Sequence, residues 1–325
     1  MLFWLLYMIN CWSAEPHQFI SGIVSKNIDQ NRKQWIETLF SIWESEETSF
    51  FNVSVWHDSI RKDTNLFGPW HYTNIPFVDV GFRLNPREKY NITGAITSMI
   101  DCMMNKSTTS LWALAFSFRS LFHFVADSHC PFHSIAYFSN KYPNGDNGGN
   151  KIHLNDTTIP KSYRDLHSLW DTALLKYRYS VFYSENIDGF NKNLSELLNS
   201  YPETSFTNIK SSPDQWSVEA YNIAVQYGYT PLINMSYLPN NYINDGFLQA
   251  KRLIVLAGHR LNYIMNGFFD HRDISSILNP MKMHEYILWG INSTLFILVL
   301  VYMYIIHFKK DTKYDEQSST LFIPL

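Results

Sequence analysis

The chain has 325 residues, 46% hydrophobic and 16% aromatic, which is enough for one large core, and one globular domain is expected. A formal net charge of -3 excludes a general basic surface for nucleic acid or anionic membrane. Phosphate binding would have to come from local cations or metal ions.

Residues 1–11 are apolar from Met1 to Ile9 and too short to cross a bilayer, which suits a signal peptide cut after Cys11. Trp12 would then be the mature N-terminus; the alternative is an uncleaved start buried in the domain. Apolar spacing predicts one helix through Phe19, Ile20 and Ile23, with His17 near its start, and another through Trp35, Leu39, Phe40 and Trp43. Trp56-His57-Asp58-Ser59-Ile60-Arg61 reads as a helix end. Gly68-Pro69 then leads into Trp70-His71-Tyr72-Thr73-Asn74, and Pro76 keeps that piece of chain extended or irregular.

Helical spacing resumes from Glu88 to Met104, and again from Ser110 to Asp127, with Ser107 or Thr108 as the expected N-cap of the latter. This second helix is strongly apolar (Leu111, Leu114, Phe118, Leu121, Phe122, Val125), yet it carries His123 and Asp127 four residues apart, on one face. Pro131 ends it and can turn His133 back towards that face. Buried imidazole and carboxylate need hydrogen-bond partners or a metal, and this pair alone does not decide between a satisfied core histidine and a ligand.

The loop Asn144 to Asn150, with Gly148 and Gly149, can bring backbone close to a ligand. A further helix from Leu166 to Leu175 repeats the pattern with His167 and Asp171. Amphipathic helices are expected over 191–200, 215–227 and 246–265, and neither repeats nor a glycine-rich phosphate loop are found, so the class is all-α.

Ile287 to Phe308 is apolar over the length needed to span a bilayer, and Lys309-Lys310 after it marks a cytoplasmic side. The alternative for that run is a buried core helix. These two segments predict a single-pass cell-surface protein reached through the secretory pathway: signal peptide 1–11, extracellular domain 12–280, transmembrane helix 287–308 and cytoplasmic tail 309–325. Sequons at Asn52, Asn91, Asn105, Asn155, Asn193 and Asn234 agree with that placement. Cys102 and Cys130 are expected to pair there, although Cys130 sits among candidate ligands and a direct role on metal stays open.

Zinc takes histidine nitrogen and carboxylate oxygen, and catalytic sites keep a position open. The candidates are His17, Asp58, His71, His123, Asp127, His133, His167 and Asp171, too many for one ion. Either several metals bind or several matches are accidental.

Taken in order, Trp12 with His17, Trp56-His57-Asp58 with Arg61, Trp70-His71-Tyr72, His123 with Asp127, Pro131-Phe132-His133, Gly148-Gly149-Asn150 and His167 with Trp170-Asp171 resemble the class I nucleases. These are zinc-dependent single-strand nucleases and 3'-nucleotidases of the zinc phospholipase C superfamily. The resemblance implies one all-α domain around three Zn2+ ions. One would be held by Asp58, His71, His123 and Asp127, the second by the Trp12 amino and carbonyl groups, His17 and Asp127, and the third by His133, His167 and Asp171. It further implies that single-stranded DNA, RNA and 3'-nucleotides are substrates, that products carry 5'-phosphates, and that Asp58, Asp127 and Asn74 serve catalysis.

By the same resemblance Asn150, beside Gly149, would meet a base edge, Tyr72 or Phe77 would stack on it, and Arg61 would meet phosphate. Many members carry Asp where this chain has Asn74, and asparagine can position water but not accept a proton. His57, His129 and His153 match nothing in the pattern and are read as surface or packing residues. Rival functions are a zinc phospholipase C, disfavoured by the short Trp12–His17 gap and by Asp171 in place of Glu, and a non-catalytic surface binding protein.

Overall fold

The computed structural model describes residues 12–43, 48–61, 64–79, 91–105, 110–177, 187–232 and 237–274, together with 82, 277 and 297. Helices dominate it: α1 (Ala14–Asn27), α2 (Gln30–Phe40), α3 (Phe50–Ser54) and α4 (Trp56–Ile60) precede the first strand, β1 (Ile75–Val78). Next come α5 (Ile92–Met104), α6 (Leu111–Asp127), β2 (Ile135–Phe138) and α7 (Leu166–Asp171), then α8 (Ile187–Ser200), α9 (Pro213–Ile223) and α10 (Tyr242–His271).

The core is built around α6, in which every residue from Ser117 to Asp127 is buried. A helix apolar on all sides must be surrounded, and α1, α2, α3, α5 and α10 pack against it. Its N-cap is Ser110, whose hydroxyl accepts from the Ala113 N–H, in place of the expected Ser107 or Thr108. Likewise α5 begins only after Asn91, whose side chain caps Thr93 and Gly94, so the expected start at Glu88 is too early. Helix α1 reaches the core by lying close on α10, where a Cβ at Gly258 would come within 2.7 Å of Ile23.

The all-α expectation needs one correction. Strands β1 and β2 form a parallel pair with Ile75 opposite Ile135 and Val78 opposite Phe138. The pair is zipped from its first residues, Thr73 N–H donating to His133 O at 2.9 Å and Ile75 N–H to Ser134 O at 2.9 Å. Two distant loops, one carrying His71 and the other His133, are thereby set side by side.

Cys102 and Cys130 are not bridged, contrary to expectation. The Cys130 thiol is fully buried at the end of α6 and its Sγ faces Asp171 Oδ1 at 3.4 Å. Among the described residues no helix is long and apolar enough to cross a membrane. The expected signal peptide 1–11 lies outside the described residues, as does nearly all of 287–308. The chain divides into two compact units between Arg272 and Asp273.

Candidate metal centre and substrate cleft

Asp127, in the last turn of α6, is fully buried and collects histidines from three directions. Its Oδ1 lies 3.3 Å from His17 Nε2 on α1 and 3.6 Å from His133 Nδ1, and its Oδ2 lies 3.1 Å from His123 Nε2, one turn back on α6. His123 Nε2 is also 3.8 Å from Asp58 Oδ1 on α4. The His71 ring stands 5.0 Å from that of His123, edge to face. A second cluster adjoins the first: Asp171 Oδ1 lies 3.7 Å from His133 Nε2 and its Oδ2 3.3 Å from His167 Nε2.

Backbone carbonyls fix which ring nitrogen faces inward. The Nδ1–H of His123 donates to Ser54 O at 2.7 Å, that of His71 to Phe67 O at 3.2 Å and that of His167 to Gly148 O at 2.6 Å, which turns each Nε2 towards the centre. The ring of Trp12 is tied by its Nε1–H to Ala126 O at 2.9 Å, and Ser13 N–H donates to Asp171 O at 2.8 Å. The backbone at Trp12 is thus strung between the ends of α6 and α7.

Burial holds His17 below the usual imidazole range and His71 well below it, and pushes His133 down to about 3. Burial works the same way on His123, but Asp127 and Asp58 outweigh it and raise that imidazole to about 9. For Asp127, burial would raise the carboxyl, yet His123 and His133 hold it well below its usual range. Asp171 goes the other way, pushed well above by burial, with Asp165 and Asp127 adding to the rise against the Cys130 donor.

The donor atoms are in want of something. His17 Nε2, His71 Nε2, His123 Nε2, both His133 nitrogens, both Asp127 oxygens and Asp171 Oδ2 are buried without a hydrogen-bond partner. Leaving so many polar atoms unsatisfied costs about 1–3 kcal/mol each, and divalent cations satisfy them all at once. Three sets of donors lie close enough to share an ion: His17, Asp58 and His123; His71, His123 and Asp127; and Cys130, His133 and Asp171. Imidazole nitrogens beside carboxylate oxygens fit zinc.

Next to the second cluster opens a cleft lined by Tyr72, Asn74, Phe132, His133, Asn147, Gly148 and His167. One wall is the turn 145–149, in which Gly145, Asn147, Gly148 and Gly149 all have positive φ. Buried Asp146 anchors this turn by accepting from Tyr137 N–H at 2.9 Å and Tyr229 O–H at 2.5 Å.

The sequence matches the S1/P1 nuclease family over residues 12–270. The chain belongs to the S1/P1 nuclease family. Phosphodiester hydrolysis in nucleic acid is therefore its class of reaction, and buried His/Asp groups that could hold metal lie within the matched residues. No curated protein matches it.

In this S1/P1 nuclease family member the fold brings His17, Asp58, His71, His123, Asp127, His133, His167 and Asp171 into two adjoining clusters, with Trp12 alongside. Tyr72 and Asn74 line the cleft, Asn74 at φ +52°. Arg61 is near enough for its charge to lower the His71 imidazole. Phe77 is instead part of an aromatic group with Tyr137 and Tyr229, at 5.4 and 5.6 Å between ring centroids. Gly149 is buried against Phe132. Asn150 turns its amide back to donate to Asn147 O at 2.7 Å, and Asn147 is the asparagine that lines the cleft.

Three residues that local pattern did not single out matter here. Asn147 is hidden in an Asn/Gly-rich run where any asparagine could face the cleft. Phe132 supports Gly148 and Gly149 of the turn and is fully packed. His129, matched to nothing, is buried, its Nδ1–H donating to Val125 O at 2.7 Å and its Nε2 accepting from Arg260 Nη1–H at 2.7 Å. Arg260 continues to Glu219 at 2.8 Å, a strut joining α6, α9 and α10 behind the ligands.

Proposed function

We propose that this chain is a zinc-dependent single-strand nuclease and 3'-nucleotidase, hydrolysing DNA and RNA to 5'-phosphate products and removing phosphate from 3'-nucleotides. The observation that carries the reading is the convergence of unsatisfied buried imidazole nitrogens and carboxylate oxygens on Asp127 and Asp171. Three zinc ions are proposed there, one with Asp58, His71, His123 and Asp127, one with His17, Asp127 and the Trp12 terminal amine and carbonyl, and one with His133, His167 and Asp171. When bound, such ions acidify water and neutralise phosphate oxygens.

The chain's own residues do the positioning. Asp127 holds two histidine-bearing elements to one point, and the carbonyls behind His71, His123 and His167 turn their other ring nitrogens inward. Tyr72 and Phe132 flank the cleft, and the amides of Asn74 and Asn147 offer both donors and acceptors to a base edge. A base would stand at the mouth of this cleft with its edge towards the two amides, which requires it to leave its stack and favours unpaired strands. Asn74 orients water or base without taking up a proton, and Arg61 meets a substrate phosphate. Asn150 braces Asn147. Location at a cell surface, anchored through 287–308, is part of this proposal.

The deciding experiment offers the purified protein single-stranded DNA, RNA, 3'-AMP and phosphatidylcholine, before chelation, after it, and after zinc is restored. Hydrolysis of the first three, lost on chelation and regained with zinc, is expected. Preferential hydrolysis of the lipid, or nucleolysis indifferent to chelation, would overturn the proposal.

A further inference from the structure

Among the described residues, Cys130 is the one soft donor in an otherwise hard centre. Its side chain is fully buried, between α6 and the short turn Pro131–His133 that carries the next ligand. The backbone leaves it little freedom, since Cys130 N–H donates to Asp127 O at 2.9 Å and Cys130 O accepts from His133 N–H at 3.1 Å. Its Sγ, one His133 nitrogen and one Asp171 oxygen all lie within 4.8 Å of one another. His133 Nε2 and Asp171 Oδ2, each in a side chain only 2% exposed, have no hydrogen-bond partner.

The spacing fits donors that share an ion. Two donors held at about 2.3 Å (sulfur) and about 2.0 Å (oxygen) from one tetrahedral zinc lie roughly 3.5 Å apart. Cys130 Sγ and Asp171 Oδ1 are 3.4 Å apart, and Asp171 Oδ2 and His167 Nε2 3.3 Å. We infer that Cys130 is a thiolate ligand of the third ion, sharing it with His133 and Asp171, beside which His167 stands.

The inference rests on the reading that this cluster holds metal. Its thiol proton leaves to solvent as the ion enters, as zinc binding to cysteine requires. The thiolate gives this site two properties. Added to a carboxylate, it cancels the charge of a divalent ion, and sulfur selects zinc over magnesium, calcium or manganese.

The test replaces zinc by cobalt in the purified full chain and records the absorption spectrum. A sulfur-to-cobalt charge-transfer band in the near ultraviolet is expected, and it should persist in Cys102→Ser. In Cys130→Ser the band should vanish while the visible bands of the His/Asp-bound cobalt remain, which shows that the variant folds and loads. On the zinc form, X-ray absorption should add a zinc–sulfur shell near ~2.3 Å that Cys130→Ser lacks.

Cobalt bound with no sulfur band, or a band that survives Cys130→Ser, would leave the thiol as a mere hydrogen-bond donor to Asp171 and overturn the inference. Failure to bind any cobalt would overturn it together with the proposed function. A sulfur band without nucleolysis would keep the inference and remove the function.

Discussion

The imidazoles of His17 and His123 lie face to face, 4.3 Å between centroids and 8° from parallel, on opposite oxygens of Asp127. Two like rings that can both carry charge stack this way only where something between or beside them compensates, and that single carboxylate does so. Asp127→Asn is therefore expected to lose two ions at once, and activity by about 10^3-fold or more, roughly 4 kcal/mol of barrier. Elemental analysis finding the full metal complement in this variant would contradict the bridging role.

Gly148 couples the cleft turn to a ligand. Its carbonyl accepts from His167, its φ is +60°, and a Cβ there would meet Phe132 O at 2.6 Å. Gly148→Ala adds the left-handed penalty of about 1–2 kcal/mol and pushes the carbonyl off His167. Lower thermal stability and a weakened third metal site are expected. Gly189, in α8 with nothing within 4 Å of its added Cβ, is the control: Gly189→Ala should gain up to ~1 kcal/mol. Equal behaviour of the two variants in a melting experiment would refute the coupling.

In metal-stripped protein, stability should peak near neutrality. Burial, with the facing Arg260, keeps His129 well below its ordinary value, and His57 is held down by burial and by His123. Such groups bind protons only when unfolded, so their contribution is complete above pH ~6.5 and declines as pH falls below it. His123 has the opposite sign: raised to about 9, it stabilises fully below pH ~6.5 and loses that contribution as pH rises through about 9. Denaturant titrations across this range check both limbs. His129→Gln should flatten the acid limb alone and Asp127→Asn the alkaline one.

The proposed role of the Trp12 amine can be tested directly. The ring anchor of Trp12 to Ala126 is indifferent to any residue before it, whereas a terminal amine is not. One extra residue placed before Trp12 should leave helicity and melting temperature near those of a protein that starts at Trp12 and reduce activity by about 10^3-fold, some 4 kcal/mol of barrier. Full activity in the extended protein would show that the amine is not a ligand.

The site was legible where local spacing dictates geometry. An i, i+4 pair on an apolar helix (His123 with Asp127) must share a face, and Pro131 had to end that helix. The β1–β2 pair was not legible: in β1 three half-buried residues and an exposed Pro76 carry no alternation, and the pairing is non-local. Nothing in the sequence around His129 announces Arg260, 131 positions away. Leu166 to Leu175 reads as one helix by spacing, yet it breaks at Asp171, because Ala173, Leu174 and Leu175 adopt φ of +47°, +55° and +64°.

That left-handed run has a consequence for how the protein comes apart. Each of its residues forgoes about 1–2 kcal/mol in a conformation L-amino acids avoid, and Ala173 and Leu174 stay there because both are fully buried, Leu174 facing Gly246 of α10. Asp171 is thus moored to a segment under local tension. Withdrawal of the ions should let amide deuteration advance first through 166–175, ahead of the surrounding helices, making this short stretch the seam along which breathing of the whole domain begins.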